Sequence, residues 1–572
     1  MKKIYALLFL VSSCSSLLAQ WIGNAATGGN VVCNAATSEE SKLTVSDGAN
    51  GTIIVFQSAD QNTPNAVSNI YAQKINSNGQ VQWGSSAVPK PVCVTAKNKF
   101  LDNIIPDGSG GVFIAWGDYR NFNDENDSTD IYIQHLSSSG NPLGTLNGVK
   151  LNASNNRERY GARLCTDGSN GVIVAWQEST YDSATMLTTY SQVFAQKYNS
   201  ALASQWTGGG VQVCTATGLR AGASIVADGS AGAIVTFADS RNSTQLPDDI
   251  FNNIDIYAQR LNSAGALQWT ANGVPVNTQP FSQFTENEFM QTRSTVADGS
   301  GGVLILYSDY TGDNDGPNNF YAQRLNSSGA RQWASAGVPV CTADSTQSLI
   351  KLLSDGAGGM IVFWNDNRAG AFFSYAYFAQ RILANGAAGW ALNGIKLFDN
   401  FSFGSFGGDM VGDGSGNYIY NWTDFMSGSL KAQKINSSGV VQWGATAKDV
   451  CTNPDASPFL GQLVPSNAGT VIISWIDSRN AITTDTDIYA AKIAATGDLV
   501  DGGASTSFVT VANGNWSANA TWQGGVLPAA SSDCTVRHNV TVTANASCKS
   551  LKVEQPNGRI TVNTGINLTV LQ

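Results

Sequence analysis

Histidine and charged residues are scarce in this chain, and each shortage excludes a kind of chemistry. The 572 residues include two histidines, His135 and His538, and 13% of the residues are charged. A Ser-His-Asp triad or a histidine zinc site is therefore hard to build. The formal net charge is -10, which repels phosphate backbones, so we expect no nucleic-acid partner.

Long apolar runs are also missing after the N-terminus. Residues 1–19 begin with two lysines after Met1, continue through an apolar stretch and reach Ala19, which is typical of a secretory signal peptide. A competing interpretation places a lipid on Cys14, because the segment from Val11 to Cys14 resembles a lipoprotein cleavage box. The sequence thus predicts a secreted or cell-surface protein that contacts a membrane only if Cys14 is lipidated.

Glycine, by contrast, is abundant, and the sequence repeats itself. An Asp-Gly pair followed by small residues and an apolar run recurs at a spacing of roughly 60 residues, in the range typical of propellers and solenoids. The aspartates of this landmark are Asp47, Asp107, Asp167, Asp228, Asp298, Asp355 and Asp413, and a degenerate eighth copy spans Pro465 to Gly469.

Each repeat divides into four extended segments, as residues 221–276 show. The Asp-Gly turn joins the first two segments and an Asn-Ser-x-Gly turn joins the last two, which is tight-hairpin chemistry. Such a unit is one four-stranded propeller blade. The last copy ends at Ile493 without a recognisable fourth segment, and the stretch from Trp21 to Cys33 matches that segment. We therefore predict an all-β fold with an eight-bladed β-propeller over residues 20–500, closed by the N-terminal strand.

Large aromatic residues and cysteines recur in register with the repeat. Twelve of the 14 tryptophans occupy the second or fourth segment, where they are expected to pack between blades. Five cysteines end the fourth segment. Equivalent positions lie about a blade apart, beyond disulfide reach, so we expect buried free thiols. These cysteines are Cys33, Cys93, Cys214, Cys341 and Cys451.

The C-terminal part differs from the repeats. After a linker at 501–509, residues 510–572 contain short alternating strands at near-regular spacing, which favour the start of a β-helix or a small sandwich. Cys534 and Cys548 flank two of these strands in an exported protein, so we predict a disulfide between them.

The repeat has a family likeness. Units of the form DGxGGxIVxWxDxR, then DIYAQRLNxxGxxxW, then GVPVC resemble the propeller repeats of large secreted and surface proteins of Bacteroidetes-type bacteria. The tail motif GNWS-x-x-x-TW resembles the opening of β-helical modules in the same group. The resemblance implies export and an extracellular scaffold, and it implies no reaction.

Variable loops between the second and third segments form the candidate binding surface, because loop variation on a fixed scaffold is where binding usually resides. An Asp-x-Arg pair opens four of these loops, and it has two interpretations. The pairs could line a funnel that binds an acidic or hydroxylated ligand, or they could cap turns and tie blades together. The pairs are Asp118/Arg120, Asp239/Arg241, Asp366/Arg368 and Asp477/Arg479.

Acidic loop clusters are candidates for calcium, the one cofactor that the sequence suggests. They are Asp124, Asp127 and Asp130 in one loop and Asp313 and Asp315 in another. Neither cluster matches a complete calcium-loop pattern, and solvated polar loops are the competing interpretation.

Two functions follow from these observations. The first is a non-enzymatic, monomeric binding, adhesion or scaffolding module for a glycan or protein. The second is a carbohydrate-active hydrolase or lyase that uses acidic residues in the central funnel, since glycoside chemistry needs only two carboxyl groups. An enzyme requires one asymmetric cluster of perturbed acids, whereas a scaffold shows a symmetric ring of satisfied ion pairs.

Overall fold

A computed structural model describes residues 21–570 with gaps. The gaps are 61–65, 122–128, 152–156, 183–186, 243–253, 278, 280–282, 285–293, 311–317, 369–373, 402–407, 425, 468, 482–484, 501–506, 519–520, 523–526, 529–531, 549 and 555–556. The chain separates into two compact units, with Asn24–Val500 in one and Asp501–Gln572 in the other. Among the described residues all regular elements are β-strands, and no helix is long and apolar enough to cross a membrane.

The larger unit is an eight-bladed β-propeller whose blades are antiparallel sheets. Strands are numbered in chain order. The first strands of the blades are β2 (Ser38–Ser46), β6 (Lys99–Pro106), β10 (Glu158–Thr166), β14 (Arg220–Ala227), β18 (Gln283–Phe284) with β19 (Thr295–Ala297), β23 (Gln347–Ser354), β27 (Gly408–Gly412) and β31 (Phe459–Pro465). The second strands are β3 (Thr52–Ala59), β7 (Val112–Asp118), β11 (Val172–Asp182), β15 (Ala233–Asp239), β20 (Val303–Tyr310), β24 (Met360–Asp366), β28 (Tyr418–Asp424) and β32 (Val471–Asp477).

The outer half of each blade is formed by a third and a fourth strand. The third strands are β4 (Asn69–Ile75), β8 (Asp130–Leu136), β12 (Leu187–Tyr198), β16 (Asp255–Leu261), β21 (Asn318–Leu325), β25 (Ser374–Ile382), β29 (Ser429–Ile435) and β33 (Asp487–Ile493). The fourth strands are β5 (Lys90–Cys93), β9 (Val149–Lys150), β13 (Val211–Gln212), β17 (Val274–Pro275), β22 (Val338–Cys341), β26 (Ile395–Phe401) and β30 (Lys448–Cys451), with β1 (Asn30–Cys33) in the last blade.

The blades form a ring around a central channel. Each first strand packs against the first strand of the next blade, and β31 of the eighth blade packs against β2 of the first. In the eighth blade β1 pairs antiparallel with β33, with Asn30 opposite Ala490 and Val31 opposite Tyr489. The predicted eight-bladed all-β fold is confirmed.

The last copy also contains the beginning of its own fourth segment, which the sequence interpretation missed. Gly497 N–H donates to the Ala494 carbonyl, closing the expected hairpin, and Val500 N–H donates to Lys492 O at 2.7 Å. The hairpin therefore extends past Ile493 to Val500, while the fourth-strand place beside β33 is taken by β1. The missing tryptophan after Val500 removes the landmark that marks this segment in other blades.

Tryptophan packing explains why glycine recurs in the fourth segment. Trp116 and Trp364 of the second strands are fully buried between blades. Gly148 and Gly394 of the fourth segments lie directly over these rings, so an added Cβ would overlap the indole. Both glycines also have positive φ angles, which favour glycine. The repeated aromatic and glycine positions thus build the blade.

The C-terminal unit is a stack of parallel strands. Its elements are β34 (Ser507–Val509), β35 (Gly514–Asn515), β36 (Asp533–Val536), β37 (Asn539–Val542), β38 (Ala546–Cys548), β39 (Ser550–Val553), β40 (Arg559–Val562) and β41 (Leu568–Val570). They form three separate parallel ladders, β34-β36-β39, β35-β37-β40 and β38-β41. Cys534 and Cys548 are both buried in the core of this unit, and the disulfide between them stays a prediction.

Candidate functional site

A ring of ion pairs joins the third strand of seven blades to the Asp-Gly turn of the same blade. We call it the clasp ring. Each turn carboxylate is no more than 5% exposed, so these charges are buried and paired. The pairs are Lys74–Asp47 (3.4 Å), His135–Asp107 (3.0 Å), Lys197–Asp167 (3.1 Å), Arg260–Asp228 (2.9 Å), Arg324–Asp298 (2.9 Å), Arg381–Asp355 (2.9 Å) and Lys434–Asp413 (2.6 Å).

Six of the seven basic side chains of the clasp ring also bond to a backbone carbonyl of the next blade. Lys74 Nζ donates to Gly110 O of the second blade at 2.8 Å, and Arg381 Nη1 donates to Ser437 O of the seventh at 3.2 Å. The turn carboxylates accept two backbone N–H groups as well, as Asp167 does from Ser169 and Gly171. The clasp ring is therefore part of the architecture.

Hydrogen bonding sets the charge state of the clasp carboxylates. Burial by itself raises the pKa of Asp107, Asp167 and Asp413, but backbone amides and the facing cation outweigh it. The pKa of each therefore lies below its usual value. At neutral pH these three groups are ionised and act as fixed acceptors.

His135 occupies the clasp position of the second blade. Its Nδ1 faces Ser200 O at 2.7 Å and its Nε2 faces Asp107 Oδ2 at 3.0 Å. The imidazole ring thus bridges the turn of its own blade and a backbone carbonyl of the third blade. One of the two histidines in the chain is thus committed to the ring.

The eighth blade breaks the clasp pattern. Ser466 stands where the other blades have the turn aspartate, and its N–H closes the same hairpin on Thr470 O. Lys492 occupies the third-strand position that carries the basic residue of the clasp ring in the other blades, and it donates to Ser77 O of the first blade at 3.3 Å. Burial lowers the pKa of Lys492. The contact to the neighbouring blade remains after the aspartate is lost.

Each of the four Asp-x-Arg pairs that sequence singled out forms an ion pair within its own blade, although Arg120 Nε and Arg241 Nε are buried without a hydrogen-bond partner among the described residues. In each, the carboxylate accepts both the backbone N–H and the guanidinium of the arginine two residues later. The Nη2 to Oδ2 distance is 2.5 Å for Arg120, Arg241 and Arg479, and Arg368 contacts Asp366 in the same way. The aspartates are 0% exposed and the arginines 12–22%.

Each of these arginines also reaches a cysteine of the preceding blade. The Nη2 to Sγ distances are 2.9 Å for Arg120–Cys93, 3.2 Å for Arg241–Cys214, 3.0 Å for Arg368–Cys341 and 3.7 Å for Arg479–Cys451. Each guanidinium also stacks on an aromatic ring, as Arg120 does on Tyr132 at 3.8 Å. This geometry supports the interpretation in which the pairs cap turns and tie blades together.

The five repeated cysteines are buried free thiols, as predicted. Their expected role as purely apolar residues is incomplete, because four of them contact a guanidinium and Cys33 donates to Glu39 Oε1 at 3.4 Å. Burial raises the pKa of Cys93 to about 11, although Arg120 opposes the shift. Burial also raises the pKa of Cys33, Cys341 and Cys451, so these three thiols and Cys93 are protonated at neutral pH and poorly nucleophilic.

The calcium prediction falls mostly outside the described residues, where Asp124, Asp127, Asp313 and Asp315 lie. Asp130 is described, and it is bound by two cations, Lys150 at 2.5 Å and Arg159 at 3.0 Å. No cluster of metal-ligating side chains occurs among the described residues. Calcium binding in these loops stays a prediction.

The central channel holds a cavity of about 730 Å³ lined by residues of all eight blades. This volume is within the range of about 300–1,000 Å³ that small-molecule sites occupy. Much of the lining is apolar, with Val45, Ile105, Val226, Val296 and Leu353 among its residues. The charged lining residues in the described part of the chain are Lys351 and Asp409.

One position of the first strands differs from blade to blade. It lies four residues before the turn aspartate or its Ser466 equivalent, and it pairs with the residue that precedes the second-strand aromatic. We call it the variable ring. Its residues are Leu43, Asn103, Arg163, Ser224, Ser294, Lys351, Asp409 and Gln462. Five of them line the channel, namely Leu43, Asn103, Lys351, Asp409 and Gln462.

Three successive blades place Lys351, Asp409 and Gln462 side by side in the variable ring. Lys351 Nζ contacts Asp409 Oδ1 at 2.8 Å, and the Lys351 side chain is 38% exposed. Asp409 is fixed by Met410 N–H at 2.9 Å and Leu463 N–H at 2.8 Å. Gln462 Oε1 is buried and has no hydrogen-bond partner among the described residues. This side of the channel thus presents an oriented ammonium, and a buried acceptor without a partner among the described residues belongs to the same stretch of wall.

Asp102 of the first strand β6 is an acid in an unusual environment. Its side chain is partly exposed but closely surrounded by protein. Burial raises the pKa of Asp102 to about 6, while the charge of Arg163 and the hydrogen bond from Ala162 N–H lower it in part. No other blade has an acid at the same place in its first strand among the described residues. Asp102, Lys351 and Gln462 do not recur from blade to blade, so the repeat pattern of the sequence gives no signal for them.

The chain is similar to several solved structures at low identity, while no protein-family model and no curated protein matches it. A Dyadobacter fermentans protein described as of unknown function is 9% identical, with 81% of this chain and 96% of that chain covered and a TM-score of 0.35. A puromycin hydrolase is 10% identical, with 85% and 56% covered and a TM-score of 0.37. A Hadza microbial sialidase is 9% identical, with 74% and 73% covered and a TM-score of 0.30. Likenesses this distant leave the activity to be argued from the residues of this chain.

Proposed function

We propose that this protein is an exported, non-enzymatic binding module whose ligand site is the central channel. The observation that carries the proposal is the contrast between the clasp ring and the variable ring. Charges that repeat around the propeller form ion pairs with buried carboxylates away from the cavity, whereas the variable ring brings the Lys351–Asp409 pair, whose lysine is 38% exposed, and Gln462 to a cavity of ligand size. Binding a glycan or a protein segment requires no catalytic acid.

A channel-filling variant tests this proposal. Leu353 lines the channel, and Leu353→Trp would fill part of the cavity. Ligands would be found with a glycan array and a peptide library applied to the purified protein. We expect Leu353→Trp to abolish binding of the ligands found, and the variant Val440→Trp at an exposed position to retain it. Equal binding by both variants would rule out the channel as the site.

A carbohydrate-active hydrolase or lyase is the second candidate, and Asp102 is the observation that favours it. A carboxyl group with a pKa of about 6 can act as a general acid at neutral pH. Turnover assays on the glycans that bind, with wild type and Asp102→Asn, separate the candidates. Turnover that Asp102→Asn abolishes while binding persists would establish the enzyme and contradict the binding-only role.

We also propose that β1 closes the propeller and that the C-terminal unit begins a β-helix. The antiparallel register of Asn30 and Ala490 supports the first proposal, and the three parallel ladders support the second. Closure by β1 predicts that Asn30→Cys with Ala490→Cys forms a disulfide under mild oxidation and raises the thermal midpoint. We further propose that the protein is monomeric and is secreted or located at the cell surface, with either cleavage near Ala19 or lipidation at Cys14. Mass spectrometry of the exported protein distinguishes cleavage from lipidation.

A further inference from the structure

The polar part of the channel wall has a definite donor and acceptor arrangement. Lys351 has one contact among the described residues, to Asp409, and an ammonium can donate three hydrogen bonds. Gln462 Oε1 is a buried acceptor with no hydrogen-bond partner among the described residues. A ligand that fits both groups therefore carries an acceptor for Lys351 and an N–H or O–H donor for Gln462.

Charge around Asp409 favours an anionic acceptor. Lys351 forms an ion pair with Asp409, and Lys42 of the first blade lies within electrostatic range of the same carboxylate. Lys42 Nζ donates to Ser474 Oγ at 3.0 Å, which holds it at the junction of the eighth and first blades. Burial lowers the pKa of Lys42 to about 7, so this side chain is only partly protonated at neutral pH. Lys351 is therefore the cation that a carboxylate on the ligand would contact.

The apolar part of the channel sets the body of the ligand. The residues two positions before the turn aspartates form an apolar collar, to which Val45, Ile105, Val226, Val296 and Leu353 belong. A sugar brings hydroxyl groups that this collar would leave without hydrogen bonds, which is unfavourable. Aliphatic side chains would instead gain by burial against it.

We propose, building on the channel as the ligand site, that the channel binds the carboxyl terminus of an apolar peptide or a free N-acylated apolar amino acid. The terminal carboxylate contacts Lys351, the terminal amide N–H donates to Gln462 Oε1, and the aliphatic side chains pack on the collar. Asp409 is a positioning residue that holds the Lys351 ammonium through its own two backbone hydrogen bonds.

Calorimetric titration with N-acetyl-leucyl-leucine at pH 7 tests the proposal, with the C-terminal amide of the same compound as the ligand control. We expect the acid to bind at least roughly tenfold more tightly than the amide, because a charge-assisted hydrogen bond is lost. Lys351→Gln should weaken binding of the acid at least about tenfold, and Gln462→Leu by a smaller factor. Lys396→Gln removes an exposed lysine paired with Asp399 and should leave the affinity unchanged.

Three results would overturn the proposal: no binding of the acid, equal binding of acid and amide, or equal affinity of wild type and Lys351→Gln. Thermal midpoints of all variants are compared first, so that an unfolded variant is not mistaken for a loss of binding. A carrier protein ending in the same two residues should bind if the source is a protein terminus, and its failure would exclude that source. If the acid does not bind while Leu353→Trp abolishes binding of another ligand, this inference fails and the proposed function stands.

Discussion

The clasp ring and the variable ring belong to the same blades, yet they use charge in opposite ways. In the clasp ring a cation and a carboxylate recur in seven blades, and each carboxylate is buried and saturated with hydrogen bonds. In the variable ring seven residue types occupy eight equivalent positions, and Gln462 keeps an acceptor that no other described residue pairs with. Repetition marks the scaffold, and departure from repetition at an inward position marks the candidate site.

This contrast shows why repeated charges are poor functional candidates in a propeller. A residue that recurs in register around a ring meets the same neighbours each time, so its own blade and the adjacent blade can supply its contacts. The Asp-x-Arg pairs illustrate this, because each contacts a thiol of the preceding blade and an aromatic ring of its own blade. Ligand selectivity instead requires a feature that one side of the ring has and the other lacks.

The largest effect is expected from breaking a repeated carboxylate. Asp239 is fully buried and receives the guanidinium groups of both Arg220 at 3.0 Å and Arg241 at 2.5 Å. Asp239→Ala leaves both cations without their anion and should lower the free energy of unfolding by about 3–5 kcal/mol. Urea unfolding measures this, with Asp399→Ala as the exposed control, which should change stability by less than about 1 kcal/mol. Similar losses in both variants would contradict a structural role specific to Asp239.

The clasp carboxylates should make stability depend on acid pH. The folded-state pKa of Asp107, Asp167 and Asp413 lies below the unfolded value, so their contribution is complete above about pH 4 and is lost as the pH falls through the folded value. Asp167→Asn should flatten the decline in unfolding free energy between about pH 4 and pH 2. An unchanged slope in this variant would show that the clasp ring does not couple stability to protonation.

At the junction of the eighth and first blades, stability should depend on pH with the opposite sign. Burial raises the pKa of Glu39 to about 9, while the hydrogen bond from Cys33 lowers it in part. The neutral acid is therefore favoured in the folded state, and its contribution is complete below the usual glutamate pKa of about 4.3 and is lost as the pH rises toward 9. Glu39→Gln should be more stable than wild type at pH 8 and similar to it at pH 5. Equal stability of the two proteins at pH 8 would contradict this assignment.

The smallest effect on stability is expected in the variable ring. Lys351 is 38% exposed, and Asp409 keeps two backbone hydrogen bonds without it. Lys351→Gln should lower the free energy of unfolding by about 0–1 kcal/mol, as for other exposed ion pairs. Urea unfolding beside Asp239→Ala gives the comparison. A loss as large as that of Asp239→Ala would place Lys351 in the scaffold.

Much of the fold could be predicted from the sequence because local turn chemistry repeats in it. The Asp-Gly turns mark seven blades, and the aromatic positions confirm the period. The ion pair between the basic residue of the third strand and the turn aspartate was not predicted, although the eighth blade carried a signal for it. Ser466 replaces the turn aspartate there while Lys492 remains, and the sequence does not show that these two positions face each other.

The candidate site was harder to predict, because it depends on which residues face the axis. A bulge shifts the register between Leu349 and Lys351, and a similar irregularity precedes Gln462. Simple alternation along the strand therefore does not reveal which side chains line the channel. Counting four residues back from each turn would have found the variable ring, but only the structure shows that Lys351, Asp409 and Gln462 meet the cavity.

Thermal unfolding with and without N-acetyl-leucyl-leucine tests the division between scaffold and site most directly. Lys351→Gln and Arg381→Gln remove the same charge from the same blade, one from the variable ring and one from the clasp ring. We predict that Arg381→Gln lowers the midpoint and retains the ligand-induced rise, whereas Lys351→Gln keeps the midpoint and loses the rise. The reverse pattern, or the same pattern in both variants, would contradict the account.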